Sequence, residues 1–145
     1  MRSLQALIII CLAACLHAAD GAAILPRLAS DEADERLAAL RDLAASGDVR
    51  LVPFLDDYRQ GSAYLLDGRV VLVPRLSDGA GIALDPLSRQ PLAATPVAAT
   101  ALTELTVSRR ERIAAGAAIN RLRLADPDAK ARLNAVTRAA EGADP

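Results

Sequence analysis

Beyond residue 17 the chain has no cysteine and no histidine, and it has no tryptophan anywhere. Cys11, Cys15 and His17 all lie in the first 17 residues, Met1 is the sole methionine and Lys130 the sole lysine. If the N-terminus is removed, these absences exclude disulfides, thiolate nucleophiles, histidine general bases and ordinary zinc or copper sites. Chemistry would then fall to carboxylates, hydroxyls, arginines or Lys130. Aromatic residues are only 2% of the chain, which removes the stacking platforms of single-strand binders. A net charge of −1 gives no general attraction to nucleic acid, so none is expected as a partner. With Ala, Leu and Val supplying most apolar residues, the core must be built from small aliphatic contacts, as in packed helices. The length of 145 residues allows one such domain.

What is present begins with an address. Met1 and Arg2 precede an unbroken apolar run of 11 residues, Ala6 to Leu16. That is the length of a secretory h-region and short of the roughly 20 residues of a spanning helix. Small residues follow in Ala18-Ala19-Asp20-Gly21-Ala22-Ala23, so residues 1–19 are expected to be a cleaved signal peptide. Leu12-Ala13-Ala14-Cys15 also fits a lipobox, in which Cys15 would be acylated and lead the mature chain. An uncleaved anchor or a buried N-terminal helix is the third reading. The first two place the remainder outside the cytoplasm.

Residues 24–60 predict two helices. Leu37, Leu40, Leu43 and Ala44 form an apolar stripe behind the acids Asp31 and Asp34, with Asp31 a candidate N-cap. Arg36, Arg41 and Asp42 are expected on the solvent side. Gly47 suits a left-handed C-cap and Asp48 the next N-cap. Leu51, Val52, Phe54 and Leu55 give the second stripe, with Pro53 near its start. This predicts a HEAT-like helical hairpin. Arg36-Leu37-Ala38-Ala39-Leu40 is echoed by Arg132-Leu133-Asn134-Ala135-Val136 at an offset of 96, and Gly47-Asp48 by Ala143-Asp144. A helix over 128–141 follows, with Pro127 at its opening.

Between these segments, Tyr64 to Val73 is β-rich around Asp67-Gly68. An Asp-Gly pair flanked by such residues predicts a type I′ hairpin with strands near 63–66 and 69–73. Residues 74–97 read as loop with one short strand at 82–84. A long helix is expected over 100–124, with Val107, Ile113, Ala117 and Leu124 on its apolar side. The expected fold is therefore mainly α: HEAT-like hairpins over 24–145 with one β-hairpin insert at 63–73.

Candidate chemistry is sparse. Asp56-Asp57 are neighbours on a helix and diverge, so they make no acid/base dyad. Asp31-Glu32-Ala33-Asp34-Glu35 lacks the glycine and spacing of a calcium loop and reads as an acidic first turn. Gly79-Ala80-Gly81 lacks the remainder of a phosphate loop. Arg109, Arg110 and Arg112, continued by Arg121 and Arg123, are either a solvated helix face or a docking surface for an acidic partner or phospholipid headgroups. No catalytic, cofactor or metal residue is expected.

Five segments in order, Arg36 to Asp48, Tyr64 to Val73, Leu84 to Leu92, Val107 to Arg112 and Leu122 to Asp128, resemble the periplasmic N-terminal region of urea-type ABC transporter permeases. These are relatives of the branched-chain amino-acid permeases, and the resemblance runs from about Leu25 to Pro145. Ser108-Arg109 stand where that family has Asn-Asn, and Ser88-Arg89 where it has a Thr-Gly turn. The resemblance implies a periplasmic, non-enzymatic, inner-membrane-associated domain that supports urea transport. Its implied partners are the permease, ATPase and solute-binding subunits of the transporter. It carries no catalytic or substrate-binding residue over to this chain. Membrane association would come from segments beyond residue 145, where the family continues into a polytopic domain, or from acylation at Cys15. The alternative is a free-standing periplasmic or lipoprotein helical adaptor for a protein partner.

Overall fold

A computed structural model describes residues 21–141. The expected signal segment, Cys15, and the Ala143-Asp144 end of the internal echo lie outside the described residues. The fold is mainly α with a small antiparallel β insertion, as the patterning predicts.

Helix α1 (Gly21–Ile24) runs directly into a 3-10 turn (Leu25–Ala29), burying Ile24, Leu25 and Leu28. Helix α2 (Ala33–Ala45) follows, with Asp34 and Glu35 in a first turn that favours negative charge. Its buried residues are Ala39, Leu40, Leu43 and Ala44, and Leu37 is half-buried. Asp31 is not its N-cap. Glu32 holds that position without a side-chain cap bond, and the Ser30 hydroxyl accepts from the Glu32 N–H instead (3.1 Å). Gly47, at φ +70°, turns the chain in the left-handed region as expected. Asp48 lies two residues before the Arg50 cap and orders the turn through Oδ1, which accepts from the Arg50 N–H (3.0 Å).

Helix α3 (Leu51–Arg59) buries Leu51, Phe54, Leu55 and Tyr58, and places Pro53 in the first turn, where no N–H is needed. Strands β1 (Ala63–Leu66) and β2 (Arg69–Leu72) form the predicted hairpin, paired Leu66 to Arg69 and Ala63 to Leu72. Asp67 and Gly68 both have positive φ, 51° and 75°, as a type I′ turn requires. Val70 and Leu72 join the main core, whereas Val71 and Val73 join a second, small cluster with Ala83. Burial on both faces explains why this strand reads as a continuous apolar run.

The next region departs from the sequence reading. Strands β3 (Leu76–Ser77), β4 (Ala80–Gly81) and β5 (Val97–Ala98) make a second three-stranded sheet in the order β3-β4-β5. The expected strand at 82–84 reduces to bridges from Leu84 to Leu72 and Pro91. Strand β6 (Thr103–Glu104) pairs with β1, giving the first sheet the order β2-β1-β6. The long helix therefore does not begin at 100.

Helix α4 (Arg109–Leu124) begins after Ser108, whose hydroxyl accepts from the Glu111 N–H while the Glu111 carboxylate accepts from the Ser108 N–H. This capping box fixes the start and the rotation of the helix. The buried residues of α4 are Glu111, Ala115, Ala118, Ile119 and Leu122. The expected stripe is overturned: Ile113 is 64% and Leu124 46% exposed, and Ala117 is exposed as well. Val107 is buried, but it precedes the helix and sets no phase within it. Helix α4 is the central element, packed against both α2 and α3, which meet chiefly through it.

Helix α5 (Ala129–Glu141) packs on α4. The echo at offset 96 extends to hydrogen bonding. Arg36 Nη1 donates to the carbonyls of Ser30 and Asp31, and Arg132 Nη1 to those of Asp126 and Pro127, the equivalent positions. Burial differs sharply. Leu40 is fully buried, but Leu133 is 65% and Val136 53% exposed.

Candidate functional site

The most constrained polar group in the described residues is Glu111, 1% exposed in the first turn of α4. Its Oε1 accepts from Arg36 Nε (2.5 Å) and its Oε2 from the Ser108 N–H (2.6 Å). Arg36, expected on the solvent side of α2, instead crosses to α4 and also holds the carbonyls before α2. One guanidinium thus ties the link after the 3-10 turn, α2 and α4 together. Burial raises the Glu111 pKa, but the hydrogen bonds from Ser108 and Arg36 outweigh it and hold the carboxyl below its ordinary value. Tyr58, buried nearby, has its phenol pushed up to about 12, first by burial and then by the Glu111 charge. Both Glu111 oxygens are paired, and the geometry is that of a structural clamp.

The other ion-paired carboxylates are spread over several arginines. Asp56 faces Arg59 and Arg123, at 3.8 and 3.4 Å, while Asp57 faces Arg89 at 2.5 Å, so this adjacent pair diverges as helical geometry requires. Glu35 and Asp42 both hold Arg27. Gly79 lies in the turn of the second small hairpin, and Ala80-Gly81 is its returning strand β4, with Ala80 paired to Ser77. No group of three His, Cys, Asp or Glu side chains that could hold a metal occurs among the described residues.

The five arginines singled out from the sequence are not one patch. Arg109, Arg110 and Arg112 stand exposed at the N-terminal end of α4, and Arg121 is exposed in its last turn. Arg123 is drawn aside by Asp56 of α3 and is half-buried. Sequence reasoning missed the Arg36–Glu111 pair. Its signal was Ser108-x-x-Glu111, a capping-box spacing that puts the acid on a defined face of the helix.

Three grooves adjoin these elements. One of about 420 Å³, lined by Pro74, Gly81, Ile82, Leu84 and Pro96, is largely apolar. A second of about 340 Å³ separates Val52 and Pro53 of α3 from Ala131 and Ala135 of α5. The third, about 300 Å³, lies beside Arg36 and β6. The titratable side chains that line them are Arg75 in the first, Arg123 and Asp126 in the second, and Asp31, Arg36 and Glu104 in the third. No family model, curated protein or solved structure matches the chain.

Proposed function

We propose that the chain is the extracytoplasmic domain of a urea-type ABC transporter permease, supporting urea transport by bracing the complex or engaging its solute-binding subunit. The observation that carries this reading is the turn at Arg89. The resemblance puts glycine at this position, and Arg89 has φ +57°, the left-handed region that glycine occupies without strain. The Asp85 carboxylate orders the same turn by accepting from the N–H groups of Leu87 and Ser88 and from the Ser88 hydroxyl. The turn lies between the β-hairpin and the arginine-rich helix, in the order the resemblance gives. The reading assigns no catalytic step and no permeation path to these residues.

The alternative, a free-standing periplasmic or lipoprotein adaptor, draws on the exposed Leu133 and Val136, apolar groups of the kind that bind a protein partner. One experiment separates the two. In cells that carry the protein, the coding region for residues 24–141 is replaced in frame by a short flexible linker, and uptake of labelled urea is followed at low external concentration. Loss of uptake, restored by the intact chain, is the expected result. Unchanged uptake would overturn the transport reading and leave the adaptor.

A further inference from the structure

Helix α4 carries a second apolar stripe on the side turned away from the core. Ile113, Ala117 and Leu124 recur at spacings of four and seven, all exposed. At 100° per residue, Arg109 and Arg112 fall on one shoulder of this stripe and Arg110 and Arg121 on the other. None of these four guanidiniums makes an ion pair with a described residue. The only acid in the helix, Glu111, is buried on the opposite side. Stability does not account for Arg109, Arg110 and Arg112 at the start of the helix or for the exposed apolar stripe. Cations at a helix N-terminus oppose the macrodipole, and exposed Ile and Leu gain nothing from water. The charge of the chain is also segregated: residues 105–141 hold 8 Lys and Arg against 4 Asp and Glu, whereas residues 21–104 hold 8 against 12.

We propose that this outer face of α4 lies on the surface of a bilayer containing anionic phospholipid. Two rows of guanidiniums would lie along a helix about 24 Å long (1.5 Å per residue), each able to grip a phosphate through two parallel N–H bonds. Between the rows, Ile113 and Leu124 enter the headgroup–acyl boundary while the flanking arginines remain at phosphate level. A second copy docked on the same face would set like charges against like. An acidic globular partner would need apolar groups placed between two rows of acids, whereas a plane of phosphates over hydrocarbon supplies both together. The inference does not depend on the transport reading: urea uptake and lipid binding can be lost separately.

The test is flotation of the full chain with vesicles of phosphatidylcholine alone or mixed with phosphatidylglycerol, at low and high salt. Binding is expected to favour the anionic vesicles and to weaken with salt. The variant Arg109→Gln/Arg110→Gln/Arg112→Gln/Arg121→Gln should weaken it by about fivefold per charge removed, with helical circular dichroism unchanged. Ile113→Ser/Leu124→Ser should weaken binding while keeping its salt dependence. All six substituted positions are exposed, and the double variants Arg110→Gln/Arg121→Gln and Arg109→Gln/Arg112→Gln give the same reading if the quadruple variant loses helix. Equal binding to the two kinds of vesicle would overturn the proposal, as would arginine variants that bind like the parent chain through the N-terminal apolar run. Tight binding of polyglutamate with none to anionic vesicles would also overturn it and identify a surface for acidic polypeptide.

Discussion

Glu111 shows how one buried charge can organise a chain that has few other polar anchors. Its two carboxylate oxygens are divided between the Ser108 N–H and Arg36 Nε, so it caps α4 and joins it to α2 at once. Substituting Glu111→Gln keeps the shape but turns an amide N–H group toward a donor that previously had an acceptor. Removing one partner of a buried pair costs about 3 kcal/mol, because the remaining charge is left uncompensated. The pH dependence follows from the depressed pKa. A carboxyl whose folded value lies below its ordinary 4.5 stabilises the fold fully above that pH, and the contribution is lost as pH falls through the folded value. The parent protein should therefore exceed Glu111→Gln in thermal stability at neutral pH, and the gap should close below about pH 4.5. Parallel melting curves at pH 7 and pH 3 with an unchanged gap would show that the carboxylate charge is not what the clamp uses.

Among the elements, those marked by local backbone chemistry were legible and those set by distant pairing were not. Asp67-Gly68 announced its hairpin because its flanks are Leu, Val and Tyr, residues that favour strands. Asp78-Gly79 makes the same kind of turn, with φ of 53° and 76°, but between Ser77 and Ala80 it carries no strand signal. Strand β6 is two residues long and exists only because β1 has a free edge for Thr103 and Glu104. Helix α4 was legible as a helix but was rotated in the reading. It has two apolar stripes: Ile113, Ala117 and Leu124 mark the outer one, whereas the Ser108-x-x-Glu111 spacing fixes the inner one as the core face. The arginine surface was legible as residues, but its interleaving with Ile113 and Leu124 required knowing which stripe faces out. The hairpin turn offers a direct check on the legible part. Gly68 has φ +75° and nothing within 4 Å of where a Cβ would stand, so Gly68→Val meets no clash and its cost is that of the backbone conformation alone. A loss of about 1–3 kcal/mol in chemical denaturation is expected. A neutral result would mean that the turn adopts another geometry in solution.

At the scale of the whole molecule, the two segments related by an offset of 96 begin alike and end in different surroundings. Arg36 and Arg132 cap the preceding turns in the same way, but Arg36 has Glu111 across from it and lies at the edge of the main core. Helix α2 then buries Ala39, Leu40, Leu43 and Ala44 beneath α4. Helix α5 has α4 on one side and a groove of about 340 Å³ toward α3, while Leu133 and Val136 project into solvent. Apolar burial against neighbours, more than intrinsic propensity, stabilises a helix of 13 residues, the length of both α2 and α5. The two should therefore open with different free energies although their sequences are related. Native-state hydrogen exchange is expected to show amides of residues 133–137 exchanging on the order of 100-fold faster than those of 39–44, because α5 can detach without opening the core, whereas α2 opens only with it. Binding to anionic vesicles gives the experiment a second arm. A membrane held on the outer face of α4 leaves the packing of α5 on α4 unchanged, so protection should rise at 109–124 and little at 133–137. Equal protection of α2 and α5 in the free protein would show that they belong to one cooperative unit and that the exposed Leu133 and Val136 carry no cost in stability.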